Sequence, residues 1–66
     1  MKYEIHCAPE YLIFAARAAL HAVQHMTANR KYRTTLTYET TPPVTMRVWI
    51  AASGTMIVCQ EDMLAQ

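Results

Sequence analysis

Glycine is almost absent from this chain, with one residue at position 54. Loops that cradle phosphates need several positions without a Cβ, so neither a P-loop nor a dinucleotide-binding turn fits. Cysteine is scarce too: Cys7 and Cys59 make no Cys-x-x-Cys pair and no zinc-like spacing. Both stand in apolar, strand-like runs, which reads as two buried free thiols facing the core in a reducing compartment. Charge is sparse. Five carboxylates and a formal net charge of +1 exclude a strongly acidic DNA mimic and leave only weak long-range attraction to phosphate. Long apolar runs are missing as well. Tyr11 to Ala16 is far shorter than the roughly 20 residues of a membrane helix. Lys2, Glu4 and His6 interrupt the beginning of the chain, so no signal peptide is expected and the expected location is cytoplasmic.

What is present is enough for one domain, residues 1–66, with a thin core: 53% of the residues are hydrophobic. Chains this short commonly gain stability from a metal, a disulfide or self-association, so a homodimer is one expectation.

Lys2 to Cys7 alternates polar and apolar residues, the period of a half-buried strand with Tyr3, Ile5 and Cys7 inward. Pro9 and Glu10 suit a helix start, and residues 9 to 28 are rich in Ala, Leu, Gln and Met, with Asn29 as the stop. At 100° per residue, Leu12, Ala16, Ala19, Val23 and Met26 share one face, widened by Leu20 and Ile13 on one side and Ala15 on the other. That stripe is expected to lie on a sheet, with the alanines allowing close approach. Tyr32 to Tyr38 and Val44 to Ile50 again alternate, separated by Thr40-Thr41-Pro42-Pro43. Ala52-Ser53-Gly54 supplies a turn before a last strand, Thr55 to Glu61, and a short tail. The layout predicts an α+β fold: a single β-α-β-β-β domain with one helix packed on one face of a mainly antiparallel four-stranded sheet. The first strand runs parallel to the second and fourth, beside one edge of the meander.

One helix covers one sheet face, and the other must meet water or a partner. A two-residue turn at Ala52-Ser53 or Ser53-Gly54 puts Thr55, Ile57 and Cys59 inward with Val48 and Ile50. It puts Met56 and Val58 outward, beside Arg47 and Trp49. Lys31 and Arg33 join that outer face. The expected contact surface is therefore Trp49, Met56 and Val58 flanked by Lys31, Arg33 and Arg47, residue types that favour binding hot spots. The plainer reading is a solvated face with Trp49 stacked under an arginine. A second surface is expected on the helix, where Phe14 and Arg17 lie opposite the core stripe.

Catalytic and metal constellations are missing. His21 and His25 are one helical turn apart but lack further ligands, and no His-Glu-x-x-His pattern occurs. The carboxylates are isolated, and inward cysteines make poor nucleophiles. No enzyme activity, metal or cofactor is expected. Arg30-Lys31-Tyr32-Arg33 is the densest basic run and, with Arg47 and Trp49, carries the alternative of a small nucleic-acid-binding module.

In size, layout and lack of catalytic residues, the whole chain resembles small phage-encoded inhibitors of the anti-CRISPR kind. The resemblance implies a non-catalytic protein-interaction module that binds a protein partner in a host defence complex, one that processes nucleic acid. It rests on no motif and transfers no functional residue. With its short apolar runs, the chain is expected to have no membrane partner.

Overall fold

A computed structural model describes residues 2–64, and of Met63 and Leu64 the backbone alone. Strand β1 (Tyr3–His6) leads through a 3-10 turn at Pro9–Tyr11 into helix α1 (Leu12–Asn29). Strands β2 (Arg33–Tyr38), β3 (Val44–Ile50) and β4 (Met56–Gln60) follow, and a single turn of helix, α2 (Glu61–Leu64), replaces the expected tail. The sheet order is β1-β4-β3-β2. The meander is antiparallel, and β1 lies parallel to β4, which settles which edge the first strand joins.

The crossover from β1 to β2 traverses the whole sheet, so α1 is laid diagonally across its strands and packs on β2, β3 and β4. A helix is about 10–12 Å wide, whereas the outer strands of a four-stranded sheet are about 14 Å apart. One strand is left without cover, and that strand is β1: all four of its residues are exposed. Tyr3 and Ile5 lie in register with Met56 and Val58, hence on the helix side as the alternation predicts, but they are not buried.

The core-facing side of α1 differs from the expected stripe. The buried residues are Ala15, Ala18, Ala19, Ala22 and Met26, a face rotated by roughly 60° at 100° per residue. Leu12, Ile13 and Leu20 stay exposed, Leu20 at 65%. The sheet explains the rotation. It already contributes Met46, Met56, Val48 and Val58, the largest fully buried side chains, so the helix must offer small ones to close the gap. The same rotation overturns the reading of Phe14 as a partner anchor. Phe14 is half-buried against the core, with its ring 5.0 Å from Tyr38 and 6.2 Å from Tyr11.

Two backbone devices fix these elements. The helix ends with Arg30 in the left-handed region (φ 53°), one residue beyond the expected stop, while Asn29 turns its Nδ2 back to the carbonyl of His25 at 2.8 Å. At the other end, the buried Gln60 side chain accepts a hydrogen bond from the Ala8 N–H at 2.9 Å. That bond ties the start of the crossover to the end of β4, and it satisfies a polar group that would otherwise be costly to bury.

Candidate interaction face on the open side of the sheet

The β3–β4 hairpin decides what the open face contains. Ile50 pairs with Met56, Val48 with Val58 and Met46 with Gln60. Ala51 donates to the Thr55 carbonyl at 2.9 Å, Gly54 donates to the Ala51 carbonyl at 2.8 Å, and Gly54 has φ +88°. This is a three-residue connection whose last residue is in the left-handed region, the turn-plus-bulge hairpin that glycine makes accessible. The expected two-residue turn is one residue shorter. Because side chains alternate with period two, that single residue flips every side chain of β4 to the other face.

Met56 and Val58 are therefore core residues, 1% and 0% exposed, and not members of a contact surface. Ile57 and Cys59 take their places beside Trp49 and Arg47, their register partners. Cys59 thus points away from the helix-covered core, against expectation, yet it is buried. The α2 turn packs on β3 and β4 at this end, and Glu61 accepts a hydrogen bond from Arg47 Nη2 at 3.1 Å. Burial raises the Cys59 thiol pKa, and burial, then Glu10, then Cys59 raises that of Cys7. Cys7 is half-buried on the helix side, so the two thiols lie on opposite faces of neighbouring strands and are free.

Across the open face, Arg33 lies opposite Trp49, Thr35 opposite Arg47 and Thr37 opposite Thr45. The last two share a hydroxyl hydrogen bond at 3.0 Å. Trp49, Arg33, Arg47, Thr35 and Tyr32 line a shallow depression between β2 and β3. The half-buried indole thus has an arginine on the adjacent strand, an arginine two positions back on its own strand and the apolar Ile57 on its far side. On β1, Glu4 and His6 occupy the same face, 2.8 Å apart. Glu4 and Glu61 bring two of the few carboxylates to this surface.

Of the residues that the sequence assigned to binding, Trp49, Arg33 and Arg47 are brought together. Lys31 precedes β2 and lines a separate depression on the helix side, with Met26, Arg30 and Ile50. Arg17 is exposed on α1 near Tyr38, where its charge opposes the rise that burial imposes on the phenol. Ile57 was missed, and the signal that could have found it was Gly54 itself, whose position fits a bulge better than a two-residue turn. The rings of His21 and His25 stack 5.6 Å apart, and among the described residues no group of three potential ligands surrounds them. No helix among the described residues is long and apolar enough to cross a membrane.

Comparison with known proteins returned no significant match to a family model, a curated protein or a solved structure.

Proposed function

We propose that the chain is a non-catalytic interaction module whose open sheet face, centred on Trp49, binds a protein partner. The observation that carries this reading is the composition of that face: one half-buried indole framed by Arg33, Arg47 and Ile57 on three adjacent strands. Indole and guanidinium groups dominate the energetics of interfaces because they cover much area and keep polar handles. Covering the rest of an indole contributes on the order of 1–2 kcal/mol at ~25 cal/mol per Å². The resemblance in size and layout to phage-encoded inhibitors extends the proposal to the partner's class, a subunit of a bacterial nucleic-acid-processing complex.

The nucleic-acid reading draws on the same two arginines and indole. It is disfavoured because Glu61 already engages Arg47 and Glu4 adds negative charge to the face. Both readings are tested by immobilising the chain and its Trp49→Glu, Arg33→Ala and Leu20→Lys variants in parallel. A bacterial extract, and single- and double-stranded oligonucleotides over a salt series, are passed over each. A protein retained by the wild type and by Leu20→Lys but lost with Trp49→Glu supports the proposal. Oligonucleotide binding that weakens steeply with salt and depends on Arg33 would replace it with the alternative.

A further inference from the structure

The two edges of the sheet are not equivalent. Strand β2 presents Arg33 and threonines, while its larger apolar residues, Leu36 and Tyr38, pack on the core. Strand β1 presents Tyr3 at 51% and Ile5 at 40% exposure on the helix side, with no helix above them. Phe14 packs on Tyr38 of β2, so the opposite flank of α1, which carries the exposed Leu12, lies on the β1 side of the helix. An unpaired backbone therefore runs beside the exposed apolar side chains Tyr3 and Ile5, the combination that sheet edges ordinarily avoid.

The hydrogen-bond parity of β1 defines which groups are free. Met56 N–H bonds the Lys2 carbonyl at 2.9 Å, so in this parallel pair Lys2, Glu4 and His6 direct their backbone groups to β4. Within the strand, Tyr3 and Ile5 direct theirs outward. We infer that this edge pairs with the same edge of a second copy, antiparallel, about a two-fold axis at Ile5 and perpendicular to the sheet. In that register Ile5 exchanges hydrogen bonds with Ile5 of the second copy, and Tyr3 lies opposite Cys7, just beyond the end of the strand. Glu4 then stands opposite His6 of the second copy at a closely spaced, non-hydrogen-bonded position, twice per dimer. Shifting the strands by two residues would keep the parity but set Glu4 against Glu4.

The strand is thus complementary to itself in one register, which is why the occupant is a second copy and not an unrelated strand. Eight strands form one sheet, with both helices on one side and both Trp49 faces on the other. The two indoles lie five strand spacings apart, about 24 Å. The dimer does not depend on the reading of the Trp49 face, and its failure would leave that reading standing.

The test is the mass of the full chain by sedimentation equilibrium from micromolar to millimolar concentration, with circular dichroism to confirm folding. The wild type is expected to reach twice the chain mass. Ile5→Lys, at an exposed position, is expected to weaken association by at least ~100-fold. Glu4→Lys is expected to weaken it by ~10-fold, and Glu4→Lys combined with His6→Glu to restore it. A wild type that stays monomeric at millimolar concentration overturns the proposal. So does a dimer that survives Ile5→Lys or dissociates with Trp49→Glu. Should Ile5→Lys fail to fold, the charge reversal decides: no loss with Glu4→Lys, or no rescue by His6→Glu, overturns the inference.

Discussion

The two faces of this sheet are built from adjacent residues of the same strands, yet they have opposite chemistry. The helix side takes Met46, Val48, Met56 and Val58 and closes over them with four alanines. The open side takes Arg47, Trp49, Ile57 and threonines, with the short α2 turn packed against one end. Met46, Met56 and the small aliphatic residues stand where they must interdigitate, and the indole of Trp49 where it need not. A tryptophan is a poor partner for an alanine-faced helix, because the narrow gap that four alanines create has no room for it. The covered face specifies the fold, whereas the open face is free of that packing constraint.

The largest effect that would break this contrast is a charge placed on either side of one peptide bond. Met56→Asp buries an unpaired carboxylate and is expected to abolish folding. Its neighbour change, Ile57→Asp, is expected to cost about 1 kcal/mol and to leave a cooperative transition. Urea unfolding followed by circular dichroism checks both, and similar losses for the two would erase the distinction between the faces.

A smaller effect is expected at Gln60, the buried polar side chain on the covered face. Gln60→Leu leaves the Ala8 N–H without its acceptor and is expected to cost ~1–3 kcal/mol in the same measurement. Gln60→Glu keeps an acceptor oxygen but must bury a charge or a proton, so it is expected to be intermediate only below neutral pH.

The smallest concerns the thiols, one on each face. Folding raises the pKa values of Cys7, Cys59 and Tyr38, chiefly through burial. The folded state therefore holds these protons more tightly than the unfolded state. The stabilisation is complete below the unfolded values and fades as pH rises through the folded ones. Stability is expected to decline from roughly pH 8.5 upward, the ordinary thiol range, and further beyond pH 10 as the phenol titrates. Native-state labelling with a thiol reagent is expected to be slow at both cysteines and slower at the more buried Cys59. A stability that is flat or rising above pH 9, or rapid labelling of Cys59, would show that the α2 end leaves that thiol open.

Much of the architecture was legible in the sequence, because alternation in residues 2–7, 32–38 and 44–50 and helix formers over 9–28 are local signals. The strand adjacent to β1 was not, since either edge of the meander satisfies the same connection rules. Two phases were misread, each for a physical reason. Ranking helix positions by hydrophobicity draws Leu12, Leu20 and Ile13 inward, but the limiting quantity is volume, and Met46 and Met56 had already used it. Counting a two-residue turn at Gly54 inverted β4, since a period of two turns one extra residue into a change of face. At the candidate site, Arg33, Arg47 and Trp49 were recoverable because they depend only on β2 and β3, whose pairing is continuous across the cis-prolyl loop. Met56 and Val58 were not, because they depended on a turn, and Lys31 was not, because the alternation was extended to a residue that precedes β2.

Trp49 is the single tryptophan, so its fluorescence reports the assignment of the two faces directly. The account predicts that acrylamide quenches native emission, and that emission shifts to the blue and becomes protected only when a partner covers the face. Blue emission that acrylamide cannot quench in the isolated folded chain, indistinguishable from a core indole, would contradict it.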